Sequence, residues 1–345
     1  MGYSVRPVSR PLVRGVVRSI AGTGSSAAPP TIVSQTLLAD GVTLRLVFDQ
    51  ALTAGSAVGL TRSVGTITSA SVVDGNLDIV VPKAYAGDDL GTLTYDGTGT
   101  LAGATGAVAA FGPVAITNSA AAWTPAELTG IVDYMIWSDL TRLFQNSDGT
   151  GAVASVDDPI GYMRGQLGVL VYTQANAENK PKLAAAGINF VGNGAVKGLY
   201  SATMLSVNNS MTLAARWSVV SPSMTTFTPQ IGPTTVSSGA WLIDHTTSYR
   251  VRHRGAVTAT GVTPRVAGTY ILTGTPTSAT AWKDGVSLGA ITAGTGTETG
   301  TINKIEPGDT GENPKVGQCW VLCHGAGADI DATEEARLRA WMVAQ

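Results

Sequence analysis

Residues 123–140 read WTPAELTGIVDYMIWSDL, and the stretch they open closes with PKLAAAGINF at residues 181–190. Thr124-Pro125-Ala126-Glu127 is a helix start, with Thr as N-cap, Pro at the first helical position and Glu at the third. That helix is expected to be short, because DYMIWSD (133–139) reads as a strand. QNSDGTGAVASVDDPIGYMRGQLG (145–168) is polar and rich in turn residues, and PKLAAAGINFVGNG returns to a strand. The stretch marks a junction between a compact Gly/Thr-rich unit before it and a longer all-β unit after it.

Composition agrees. Only 13% of the 345 residues are charged, 42 are Gly, and Thr, Ser, Ala and Val fill much of the rest. Such a chain is poor in strong helix formers and rich in strand and turn residues. Its 44% hydrophobic content is ample for packed cores, and its length suggests two domains. The expected fold class is therefore all-β: an extended N-terminal arm (1–26), an Ig-like β-sandwich (27–119), then a second sandwich with a C-terminal helix (121–345).

Working outward to the N-terminal side, Val42, Leu44, Leu46 and Phe48 alternate with polar positions after the Asp40-Gly41 turn. Leu77, Ile79 and Val81 repeat the alternation after Asp74-Gly75, a hairpin signal, and Leu93 and Tyr95 do so before Asp96-Gly97. About seven short strands with regular turns suggest an immunoglobulin-like sandwich without a disulfide. The segments PPTIVSQTLLADGVTLRLVFDQALT, VVDGNLDIVV, YAGDDLGTLTYDGTGTL and FGPVAITN resemble the bacterial Ig-like repeats of large surface proteins and phage fibres. In that family the repeat is a spacer, which implies no catalysis here. AGATGAV (102–108) departs from the family's usual D-x-x-GN.

On the other side, "W-S-D…DGTG…V…DDPIG…P-x-L…GI-x-F-x-G" resembles the entry segment of concanavalin A-like, LamG-type jelly rolls common in phage virion proteins. MTLAARWSVV (211–220) places Met211, Leu213, Ala215, Trp217 and Val219 on one face, and TYILTGTPTSATAWKDGVSLGAI turns at Lys283-Asp284-Gly285. VGQCWVLCHG is the expected last strand. ADIDATEEARLRAWMVAQ has an Asp331…Glu334 cap, with Leu338, Trp341 and Met342 at helical spacing. The resemblance covers roughly residues 121–345 and implies a lectin-like domain.

Ahead of both units, YSVRPVSRPLVRGVVRSI (3–20) carries Arg6, Arg10, Arg14 and Arg18, whereas the first acidic residue is Asp40. The first 39 residues thus hold +4 of a net −2, leaving −6 for the remainder. Pro7, Pro11 and Gly15 oppose a helix. Extended, the four arginines share one face spanning roughly 40 Å at about 3.3 Å per residue. Composition allows a disordered tail; the reading favoured is an anchoring arm laid on a neighbouring subunit, since an extended terminus is ordered only when something holds it. Neither a secretory signal nor an apolar run of membrane-spanning length is expected, and the charge balance argues against general nucleic-acid binding.

Motifs for catalysis are sparse. G-x-S-x-G, Walker and H-E-x-x-H patterns do not occur, and the seven glutamates include no E-x-D-x-x-E. Asp244-His245 beside a serine-rich loop lacks the rest of a triad. Cys319, Cys323 and His324 form C-x3-C-H, which misses zinc-site spacing and reads better as core thiols. Asp148, Asp157 and Asp158 share one loop that could hold Ca²⁺, although turn-capping is the plainer role. Arg250, Arg252 and Arg254 alternate in SYRVRHRG, either as a basic patch for an acidic glycan or a neighbouring subunit, or as a solvated sheet face. Trp137, Trp217, Trp241 and Trp282 could stack sugars but mostly fall in apolar alternation.

The sequence thus sets out these expectations: no enzyme, no cofactor and no metal; a bacteriophage capsid decoration, head-fibre or tail-fibre protein at the virion surface, made in the host cytoplasm. Expected partners are other virion proteins through the arm, further copies of the chain (a trimer favoured) and a host surface glycan. The alternatives are a phage polysaccharide depolymerase and a bacterial cell-surface adhesin.

Overall fold

A computed structural model describes residues 28–185, 187–189, 199–201, 210–217, 230–232, 241–244, 249–253, 256–259, 268–275, 277–292, 304–306, 315–316, 319–325 and 327–345. The chain is all-β apart from three short 3-10 turns and one C-terminal helix among these residues. It divides into two compact units, Met1–Ala122 and Trp123–Gln345.

In the first unit, Ile32–Leu37, Thr43–Phe48, Asn76–Val80 and Ser69–Val73 form neighbouring antiparallel strands of a five-stranded sheet. Thr117–Asn118 completes it by pairing in parallel with Ile32–Leu37. Three further strands, Phe111–Ala115, Thr92–Tyr95 and Leu60–Arg62, make a second sheet. The alternation expected from sequence is present: Leu44, Leu46, Leu77 and Ile79 are buried and pack in one core with Leu60, Leu93 and Tyr95. Asp74 and Gly75 both take positive φ (50° and 79°), the geometry of a two-residue hairpin turn that a β-branched residue would resist. Among its described residues the unit has eleven strands rather than about seven, because pairs as short as Ala102–Gly103 and Gly106–Ala107 leave no alternation to read.

The second unit is built on two six-stranded sheets whose strands pair antiparallel throughout. One runs in the order Ile131–Ile136, Cys319–His324, Met211–Trp217, Gly268–Gly274, Ser278–Lys283, Val286–Thr292. The other runs Leu143–Phe144, Tyr162–Arg164, Val171–Thr173, Leu199–Tyr200, Lys304–Glu306, Gln230–Gly232. Met135, Leu213, Leu272 and Trp320 from the first sheet pack with Leu143, Met163 and Tyr172 from the second in a single core. Tyr172 and Trp320 meet edge to face, with ring centroids 5.1 Å apart.

The strand Met211–Trp217 shows why its sequence alternation is incomplete. Met211, Leu213 and Ala215 face the inter-sheet core, yet Thr212 and Ala214 are also buried. Their side of the sheet is covered by helix α1 (Ala332–Ala344), which buries Leu338 and Met342 against Ala214, Ile271 and Val321. Thr212 and Thr273 hydroxyls lie 2.7 Å apart against the segment that leads into the helix, and the Thr273 hydroxyl accepts from Ile330 N–H. The expected cap at Asp331 is present in full: Asp331 Oδ1 accepts from Thr333 and Glu334 N–H, while Glu334 Oε2 accepts from Asp331 N–H. At the other end Arg216 donates to Met342 O, a cation on the negative helix end. The hairpin at Asp284-Gly285 also forms as expected, with φ of 50° and 82°.

The opening stretch needs one correction. Pro125–Glu127 is a 3-10 turn, and the Thr124 side chain makes no capping bond. The chain has no room for a longer helix: Gly130 turns with φ of 71°, and Ile131 already pairs with Cys323 in the sheet.

Candidate functional site

The opening stretch also builds a recess. Trp137, Ser138 and Leu140 follow the end of the entry strand Ile131–Ile136; Ala154 and Val156 lie on the crossing loop; Leu183, Ala184, Ala185 and Gly187 come from a hairpin. With Gln345 at the end of the chain, they enclose a cleft of about 370 Å³. Trp137 forms part of its floor at 6% exposure, and its indole N–H is sealed inside the protein, so the ring offers apolar surface rather than a donor. Val156 stands at the rim, 56% exposed. Among the described residues no lining side chain carries a formal charge.

The walls are held by backbone pairing and by one carboxylate. Asp157 N–H donates to Leu183 O at 2.8 Å and Leu183 N–H donates to Asp158 O at 2.9 Å, which ties the loop to the hairpin. Asp158 Oδ2 accepts from Ala154 and Ser155 N–H at 2.9 Å each. Those two backbone donors hold the Asp158 carboxyl below the usual carboxylate range, against a smaller upward pull from burial. Asp148 does a similar job on its own turn, accepting from the Thr150 hydroxyl and N–H, and its carboxyl is held low by them in that order. Asp157 adopts a left-handed φ of 72°. Asp148 and Asp158 act as turn caps, the plainer of the two roles the sequence offered; among the described residues no three His, Cys, Asp or Glu groups come together as a metal site.

Beside the recess, Asp139 ties the strand end to a second loop. Its carboxylate accepts from the Thr141 hydroxyl and from Gln166 Nε2. Partial burial pulls this carboxyl upward, but the bonds from Thr141 and Gln166 and the charge of Arg142 outweigh it, leaving it below its ordinary value. A buried neighbour, Asp133, organises the same loop from within, accepting the Leu167, Val169 and Leu170 N–H groups.

The remaining residues singled out in the sequence fall elsewhere. Arg250 and Arg252 occupy the middle strand of a three-stranded sheet, Tyr249–His253 between Trp241–Asp244 and Ala256–Ala259, at positions two apart. Arg254, His245 and the arginines of the arm, Arg6, Arg10, Arg14 and Arg18, lie outside the described residues. Cys323 is a buried core thiol under α1, and burial, with Glu334 nearby, pushes its pKa up to about 12. Trp137 is core, and Trp282 is partly buried against the cluster beneath the helix. The sequence did not single out the cleft; its only signal was the run of small residues Ala184, Ala185 and Gly187 opposite Ala154.

Among known proteins, no family model matches the chain. No curated protein matches it either. Solved structures do align. A Trypanosoma rangeli sialidase is 13% identical, covering 89% of this chain and 49% of its own, with a TM-score of 0.43. The Ruminococcus gnavus IT-sialidase CBM40 is 12% identical over 39% of this chain and 83% of its own, with a TM-score of 0.29. The binding domain of Paraclostridial Mosquitocidal Protein 1 is 8% identical over 61% and 52%, with a TM-score of 0.36. The chain spans between a third and a half of the length of the sialidases it matches, 34% to 49%. The expectation that the chain is not an enzyme is overturned by this comparison, because the structures aligned with it include sialidases. Linear patterns do not report carboxylates and nucleophiles that only folding brings together. At these identities and scores the likeness assigns no reaction.

Proposed function

We propose that the chain is a bacteriophage virion surface protein that presents its second unit to glycans of the host surface. The observation carrying this reading is the succession of two compact β-units, each with its own hydrophobic core, the second holding a pinned recess. A self-contained first unit suits a spacer, and a sandwich with a preformed cleft suits a displayed binding head. The acid-free N-terminal segment, with an arginine at every fourth position from Arg6 to Arg18, supports anchoring to the capsid or tail. Similarity of the two units to Ig-like repeats and LamG-type jelly rolls supports the same assignment, and self-association as a trimer accords with such an array.

Mass spectrometry of purified particles is the direct test: the chain should be present in them, and its absence would end the proposal. Deleting residues 1–26 should abolish incorporation while leaving both units folded. Incubating the purified protein with host capsule or lipopolysaccharide should show retention on the polysaccharide. Measuring reducing ends in the same samples would reveal cleavage if the head acts on what it binds.

A further inference from the structure

Resting on the reading of the second unit as a glycan-binding head, we infer that the cleft beside Trp137 takes a single neutral sugar ring bearing a methyl group, a 6-deoxyhexose or an N-acetylhexosamine. Size comes first. At about 370 Å³ the cleft lies near the lower end of ligand pockets, roughly 300–1,000 Å³, which suits one ring rather than an oligosaccharide.

Charge decides next. Among the described residues no lining side chain is charged, so a carboxylated or sulfated sugar would lose hydration with no ionic partner from them. Apolar character then discriminates among neutral sugars. Trp137, Leu140, Val156, Leu183 and the alanines present hydrocarbon, while Ser138 and Gln345 supply the polar side chains. A fully hydroxylated hexose would bury hydroxyls against hydrocarbon without partners. A ring with a methyl can turn that edge to the apolar wall and its hydroxyls outward. The bonds linking Asp157, Asp158 and Leu183 hold the walls in place before a ligand arrives, which limits the ordering cost of binding.

The test uses the full chain and saturation-transfer NMR with six free reducing sugars as probes: rhamnose, fucose, N-acetylglucosamine, glucose, galactose and glucuronic acid. The methyl-bearing sugars should bind at about millimolar Kd, with strongest transfer to the C-methyl or acetyl protons, about tenfold tighter than glucose or galactose, the factor expected for one apolar group in a pocket. The deoxy and N-acetyl arms separate the two sources of the methyl. Glucuronic acid should not bind. Two rim substitutions, Val156→Asp and Ala185→Asp, lie at exposed positions and should each abolish the signal with melting temperature unchanged. Equal binding of glucuronic acid, or full binding by both variants, overturns the inference. If the protein retains host polysaccharide while both variants bind it unchanged, this assignment fails and the glycan-binding reading stands. Failure of every sugar, together with no retention on polysaccharide, removes both.

Discussion

The carboxylate of Asp133 accepts the backbone N–H of Leu170 at 2.8 Å, in a position with no solvent exposure. The same oxygen accepts from Val169 at 2.8 Å, and the other accepts from Leu167 and Tyr134 at 2.9 Å each. One side chain on the entry strand thereby shapes the loop 165–170 and satisfies four backbone donors. The loop gains further ties where Gln166 N–H donates to Tyr134 O and Arg142 donates to Gln166 O.

Replacing Asp133 should be among the most damaging single changes in the second unit. Asp133→Ala leaves three loop donors without their acceptor in a buried site, at about 1–3 kcal/mol for each buried unsatisfied group. A loss of at least about 3 kcal/mol in urea unfolding is expected. Asp133→Asn keeps one acceptor oxygen but turns an amide N–H₂ toward donors, and should recover only part of the loss. A loss under about 1 kcal/mol for the alanine variant would show that the loop does not depend on this carboxylate.

Gly165 tests the same relationship from the other side. A Cβ at this position would sit 2.1 Å from the Asp133 carboxylate, an approach no real contact makes, so Gly165→Ala must displace either the loop or the buried acid. An expected cost of about 2–4 kcal/mol follows from such overpacking and the bonds it breaks. Gly289→Ala in the same unit is the control: a Cβ there meets nothing within 4 Å, and only the positive φ of 99° opposes it, so about 1 kcal/mol is expected. Thermal melts of the two variants should therefore differ clearly, with Gly165→Ala the lower.

Cys323 should be silent toward thiol reagents in the folded protein. Burial beneath α1 pushes its pKa up to about 12, so almost no thiolate exists at neutral pH and the sulfur is also out of reach. Iodoacetamide at pH 8 followed by peptide mass spectrometry should find Cys323 unmodified in native protein and alkylated in urea. Rapid native alkylation at Cys323 itself, located by fragment ions that separate it from Cys319, would contradict the packing of the helix on the sheet.

What the sequence disclosed and what it withheld follow from range. Turns and caps are local, so Asp74-Gly75, Asp284-Gly285 and the Asp331–Glu334 box could be read directly from a few adjacent residues. Strand alternation was legible where one face meets a core, as at Leu44, Leu46, Leu77 and Ile79. It failed at Met211–Trp217, because covering of the second face by α1 depends on residues over a hundred positions away. The cleft was hidden for the same reason. Trp137, Val156, Ala184 and Gln345 are brought together only by the sandwich. Asp133 looked like an ordinary acid in a strand, since its four donors include three from a loop more than thirty residues on.

Asp158 yields a pH-dependent prediction with a definite sign. Its carboxyl is held low in the folded chain by the Ala154 and Ser155 N–H groups, so the unfolded chain takes up the proton at higher pH than the native one. The stability it lends is therefore present above the unfolded value, about 3.9, and is lost as pH falls through the lower folded value. Asp158→Asn retains an acceptor oxygen but cannot titrate. The gap between wild type and this variant in urea midpoint should be widest above about pH 5 and close progressively below about pH 4. Asp148, Asp49 and Asp96, which are also held low, titrate in both proteins and cancel in the difference. A gap that stays constant from pH 7 to pH 3 would mean that the charge of Asp158 plays no part in holding the cleft wall.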